Sequence, residues 1–143
     1  MKIAVDFDGT IVEHRYPEIG KTMLFAFETL RELQKRKHEL ILWTYRAGKE
    51  LDEAVAFCEK NGIVFYAVNK NNPEEEFDIE TISRKINADV FIDDRNVGGF
   101  LGWSKIWELL NNDQLGSPEQ EMKFIKEKMG VEPLWKRLFG KKE

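Results

Sequence analysis

The stretch Asp6-Phe7-Asp8-Gly9-Thr10 sets two carboxylates just past the apolar run Ile3-Ala4-Val5, which reads as a short buried strand. Side chains alternate along a strand, so Asp6 and Asp8 leave on one side with Phe7 opposed. Gly9 lets the backbone turn sharply straight afterwards. Like charges at this spacing repel unless a cation lies between them or one carboxyl keeps its proton. Either condition belongs to nucleophilic, acid–base or metal-assisted chemistry. The competing reading of a lone D-x-D is a solvated, inert acidic loop.

What decides between them is which elements position these acids. Residues 11–20 form a mixed loop after the acidic turn, a candidate flap in which His14 and Arg15 could reach a ligand. Met23, Phe27, Leu30 and Leu33 form an apolar stripe that predicts a helix over 21–37. Residues 40–43 read as a second strand that ends at Thr44-Tyr45-Arg46. A helix over 49–61 stops at Gly62, and a third strand covers 63–68. The polar stretch 69–78 carries Pro73, which keeps it out of any helix interior. A short helix over 80–86 leads into a strand at 89–92 that ends at Asp93-Asp94, and another helix lies near 103–110. This alternation predicts an α/β fold: a three-layer, doubly wound parallel sheet with helices on both faces. Such sheets bind ligands beyond the carboxyl ends of their strands, where strand order reverses. Asp6 and Asp8, Thr44 and Arg46, and Asp93 and Asp94 all fall at such ends, whereas inert surface acids would scatter.

A length of 143 residues suits one domain, 1–143, with 112–143 as a C-terminal helical extension. In that extension Met122, Ile125 and Met129 share a helix side, and Leu134, Trp135, Leu138 and Phe139 form an apolar cluster. That cluster would dock on the core or on a second subunit of a homo-oligomer. The formal net charge of −4 exerts no general pull on nucleic acid or anionic lipid. Asp6 interrupts any N-terminal signal segment, and no run is long enough to span a membrane, so a cytoplasmic protein is expected. The single cysteine, Cys58, shares an apolar helix face with Leu51, Ala54 and Val55 and reads as core.

In the order D-x-D-G-T after strand one, Thr44 after strand two, Lys85 before the last core strand and Asp93-Asp94 at its end, the chain resembles the haloacid dehalogenase superfamily of aspartate-based phosphatases. The resemblance covers residues 1 to about 100, and Thr44-Tyr45-Arg46 is similar to the phosphatase domains of polynucleotide kinase/phosphatases. It implies a Mg²⁺-dependent phosphomonoesterase of the HAD-like Rossmannoid fold. Asp6 would be the nucleophile that forms an aspartyl-phosphate, and Asp8 the general acid and then base. Mg²⁺ would be held by an Asp6 oxygen, the Asp8 carbonyl and Asp93, with Asp94 holding a water or supporting Lys85. Thr44, Lys85 and the backbone of Phe7 and Asp8 would hold the phosphoryl oxygens. Arg46 would grip a phosphate in a fork, and Thr10 would lock the acidic turn. Lys85 and Arg84 compete for the basic position, and motif order favours Lys85.

The insertions after strands one and three are too short for a large cap, so the site is expected to have a minimal cap or none. An open site would accept a phosphorylated substrate with a bulky carrier, a nucleic acid end included, although the acidity gives that partner no support. The alternatives are a metal- or phosphate-binding module without turnover, and a phosphotransferase using the same aspartate.

Overall fold

The computed structural model describes residues 1–111. The chain divides after Ser104 into two units, and the first, Met1–Ser104, carries the sheet and the candidate site. The expected extension over 112–143 lies outside the described residues. The elements run β1 (Lys2–Val5), α1 (Ala26–Lys35), β2 (Glu39–Leu42), α2 (Gly48–Lys60), β3 (Ala67–Val68), β4 (Val90–Ile92) and α3 (Trp103–Asn111). The strands make one parallel sheet in the order β3-β2-β1-β4. The chain therefore steps outward from β1 to β3, then returns to the opposite side of β1. The direction reverses between β1 and β4, which is where open parallel sheets leave a crevice.

Register delivers the acids to that crevice. Val5 stands beside Ile92 and Leu42, and the Asp6 amide donates to the Ile92 carbonyl at 2.9 Å. Asp6 and Asp93 are each the next residue, so they emerge side by side. Phe7 is fully buried and meets Phe57 of α2 edge-to-face at 6.2 Å; Phe57 in turn meets Phe27 of α1 at 5.8 Å. Both helices thus cover the sheet face that shares the parity of Ile3 and Val5. Each large aliphatic buried there contributes about 1.5–3 kcal/mol. On the other face Ala4, Ile41 and Ala67 pack with Ile86, flanked by Trp43 and Ala88.

The covering of that second face departs from the expectation. Residues 80–86 form no helix; a single turn at 79–81 is all that appears. The Asp78 carboxylate takes the Glu80 amide at 3.0 Å and the Thr81 hydroxyl at 3.0 Å, and Ser83 takes the Lys85 amide at 3.2 Å. Asp78 thus caps a single turn, in which the Ile82 amide donates to the Asp78 carbonyl at 2.7 Å, and the Ser83 bond to the Lys85 amide competes with its propagation. The third strand is also shorter than 63–68. Ile63 is still bonded to the end of α2, where its amide donates to Cys58 at 3.0 Å, and ladder pairing covers only Ala67–Val68. Helix α1 starts at Ala26 rather than residue 21, because residues 21–23 pair back on 11–13. Glu13 donates to Lys21 at 2.7 Å, Met23 donates to Ile11 at 2.9 Å, and Phe25 turns left-handed at φ 64. These pairings tie the two ends of a loop over 13–20 beside the acidic turn. Among the described residues no helix is long and apolar enough to cross a membrane.

Candidate active site

Beyond the carboxyl ends of the strands lies a cleft of about 480 Å³, lined by Asp6, Asp8 and Asp93, by Thr44 and Arg46, and by His14, Tyr16, Trp43, Tyr45 and Arg95. Oxygens of Asp6, Asp93 and Asp94 lie within 4.8 Å of one another. The acidic turn closes on itself, with the Gly9 amide donating to Val12 at 2.7 Å and the Ile11 amide to Phe7 at 2.9 Å. Gly9 has φ +89, and a Cβ there would stand 2.3 Å from an Asp94 oxygen. Glycine is therefore what allows the two acidic segments to approach so closely. Thr10 is buried; its hydroxyl lies 3.4 Å from Asp6 Oδ2, and its carbonyl accepts from Trp103 Nε1 at 2.8 Å.

Electrostatics mark the same place. Burial pushes Asp6 up from 3.8 to about 7, helped by the charges of Asp93, Asp94 and Asp8 and opposed by a hydrogen bond from the Phe7 amide. Asp94 Oδ1 is buried and has no hydrogen-bond partner among the described residues. An unsatisfied buried carboxylate oxygen is costly, and a cation is one of the few groups able to satisfy it. Three carboxylates are a hard-oxygen donor set of the kind that suits Mg²⁺. Oxygens around an octahedral Mg²⁺ stand roughly 3–4 Å apart, so the cluster needs little contraction to hold one. Asp93 Oδ1 also accepts from the Arg95 amide at 2.7 Å, which fixes the loop that follows β4.

Arg46 does something other than what its position suggested. Its side chain is 1% exposed, and it forks onto Asp8: Nε donates to Oδ2 at 2.7 Å and Nη2 to Oδ1 at 2.8 Å. The remaining donors reach the loop over 13–20, at the Pro17 carbonyl at 2.9 Å and the Glu18 carbonyl at 2.8 Å. The guanidinium lies 5.0 Å from the Phe7 ring and 5.3 Å from the Tyr16 ring. The bonds to Asp8 hold Arg46 even more firmly protonated than usual. The fork expected to grip a phosphate therefore grips a carboxylate, and it fastens the flap to Asp8. A guanidinium this buried needs a bidentate anion, and Asp8 is the one within reach.

Thr44 lines the cleft as expected. Its amide donates to Asn69 Oδ1 at 2.8 Å, and its hydroxyl oxygen accepts from the Arg46 amide at 3.2 Å. Asn69 takes a left-handed φ of 53 to make that bond. Lys85 is not brought into the cleft; it is exposed, with Nζ 5.9 Å from the centre of the Phe91 ring. Without the helix over 80–86, nothing turns it toward the acids. Arg84 is no substitute, since it lies 5.4 Å from the Phe77 ring. Of the two flap residues expected to reach a ligand, His14 lines the cleft and Arg15 does not. Sequence reasoning missed Tyr16, Trp43, Tyr45 and Arg95 as lining residues. Three of the four were within reach of it: Trp43 and Tyr45 bracket Thr44, and Arg95 follows Asp94.

A solved structure of a conserved protein from Bacteroides thetaiotaomicron is 57% identical to this chain, covering 79% of this chain and 91% of that one, with a TM-score of 0.74. No protein-family model matches the chain, and no curated protein matches it.

Proposed function

The chain belongs to one family with that conserved Bacteroides thetaiotaomicron protein, and we propose that it is a Mg²⁺-dependent phosphomonoesterase of the haloacid dehalogenase type. The observation that carries this reading is the convergence of Asp6, Asp93 and Asp94 within 4.8 Å beside Asp8, at the point where strand order reverses. The HAD-like three-layer arrangement belongs to the same proposal; the parallel order β3-β2-β1-β4 supports it.

Asp6, Asp93 and Asp94 would hold Mg²⁺, which when bound supplies the positive charge that steadies a phosphoryl group among acids. The protein groups do the rest. An Asp6 oxygen attacks phosphorus; the new Asp6–phosphorus bond forms as the ester oxygen–phosphorus bond breaks. Asp8, held as an anion by Arg46 in the resting cleft, must take up a proton as substrate enters; it gives that proton to the departing oxygen, then takes one from the water that cleaves the aspartyl-phosphate. A carboxylate has about four lone-pair sites, and the Arg46 fork occupies two of Asp8's. The others stay open for this transfer in a plane that Arg46 fixes. Thr44 accepts a bond from the Arg46 amide, so its hydroxyl proton is free for a phosphoryl oxygen. Arg95 supplies a cleft cation where Lys85 was expected to do so.

The test is phosphate release from an aryl phosphate with and without Mg²⁺. Release should need Mg²⁺ and should fall to background in Asp6→Asn, with the fold retained by circular dichroism. An Asp6→Asn protein that still turns over would refute the assignment. Because Lys85 stands outside the cleft, the second reading is a module that binds metal or phosphate without turnover. It would show a Mg²⁺-dependent rise in Tm and release no phosphate from any ester.

A further inference from the structure

We propose that the cleft takes the phosphate monoester of a planar, ring-bearing small molecule of nucleotide size, with the ring laid on Tyr45. The inference rests on the phosphatase reading of the same cleft and names its substrate class.

Three aromatic rings line the cleft, and they are not equivalent. Tyr16 lies against the Arg46 guanidinium at 5.3 Å, and Trp43 packs in part on the cluster of Ala4, Ile41, Ala67 and Ile86. Tyr45 is 100% exposed, and among the described residues its side chain has no ring, ion-pair or hydrogen-bond partner. Its two chain neighbours are nevertheless both held. Thr44 on one side is bonded to Asn69 at 2.8 Å, and Arg46 on the other is buried in its four-bond clamp. A ring that adds nothing to the core, on a backbone fixed from both sides, is a preorganised stacking platform. Tyrosine offers that area at low entropic cost, and every planar ring has a π-face to meet it.

Size and charge narrow the class. A cleft of about 480 Å³ lies within the range of pockets for small organic ligands and far exceeds a bare phosphate. Arg95 adds a cationic group to its lining and His14 an imidazole, and the Asp93 bond to the Arg95 amide keeps Arg95 next to the acids. A formal net charge of −4 gives no extended attraction for a polynucleotide backbone. A single phosphorylated ring compound satisfies all of these conditions.

The test compares kcat/KM for a nucleoside monophosphate and for glycerol phosphate, with Mg²⁺, in the wild-type protein, Tyr45→Ala and Tyr45→Phe. The wild type should favour the ring-bearing ester. Tyr45→Ala should lower the ratio of the two kcat/KM values about five- to a hundredfold, chiefly through KM, and Tyr45→Phe should preserve it. Equal use of both esters by the wild type, or a ratio unmoved in Tyr45→Ala, overturns the inference while leaving the phosphatase reading in place. If no ester is turned over, that reading fails, and calorimetric titration of nucleoside monophosphate against glycerol phosphate decides the inference alone. Tighter nucleotide binding that Tyr45→Ala weakens supports the inference; equal binding of the two, or binding that Tyr45→Ala leaves unchanged, overturns it.

Discussion

Replacing Arg46 with Ala removes a guanidinium that is 1% exposed and donates four hydrogen bonds of 2.7–2.9 Å. Two of them serve Asp8, whose own side chain is 11% exposed. Charged hydrogen bonds contribute about 1.5–3 kcal/mol each, but four that share one side chain are not additive. The better guide is the cost of breaking a buried ion pair by deleting one partner, about 3–5 kcal/mol. Arg46→Ala should therefore lose about 3–5 kcal/mol in urea unfolding, a large share of the stability of a domain this size. Arg46→Lys keeps the charge without the fork, so it should recover only part of that loss and remain folded for assay. A double-mutant cycle with Asp8→Asn should give a coupling of about 2 kcal/mol or more. Catalytically, Arg46→Lys should lower kcat, since the Asp8 plane and the flap at Pro17 and Glu18 lose their common anchor. A loss below about 1 kcal/mol with no coupling would mean the pair is screened like a surface ion pair. The buried clamp would then be refuted.

Further predictions concern the acids, their glycine and the thiol. Asp6 titrates at about 7 in the folded chain against 3.8 ordinarily, so the folded state binds the extra proton between those values. Its contribution is fully present below about pH 4 and is lost as pH rises through 7, a swing of about 4 kcal/mol. Metal-free Tm should therefore fall over that window, and Mg²⁺ should flatten the fall; a Tm that rises from pH 4 to 7 in metal-free buffer contradicts it. Gly9→Ala places a Cβ 2.3 Å from an Asp94 oxygen at φ +89. It should cost about 1–3 kcal/mol in backbone strain alone and weaken Mg²⁺ stabilisation, both readable by thermal melts. Cys58 is buried, with its thiol pushed up to about 12, so a disulfide reagent should label it only on unfolding.

The positions of the acids were legible because sheet physics fixes them. A strand of alternating parity ending in Asp6, and another ending in Asp93, must meet once parallel order puts β1 beside β4. The α/β class followed from the same rhythm of apolar runs. What stayed hidden depends on side chains that settle contests the sequence leaves open. Arg46 could have faced solvent or substrate, and its choice of Asp8 follows from burial beneath a flap whose closure is not written in any periodicity. The helix expected over 80–86 stops at the one turn that Asp78 caps, where Ser83 captures the Lys85 amide. With that helix gone, Lys85 lands on Phe91 instead of at the acids. Tyr45 and Arg95 carry no pattern of their own, and their place in the cleft comes from the neighbours that hold their backbones.

The most direct measurement of the central claim is to trap the covalent step. The protein is mixed with Mg²⁺ and a radiolabelled aryl phosphate, quenched in acid, and digested. A nucleophilic Asp6 leaves an alkali-labile, hydroxylamine-sensitive label on the peptide that contains it, absent in Asp6→Asn. Mg²⁺-dependent phosphate release with no label on the protein, and undiminished in Asp6→Asn, would contradict it.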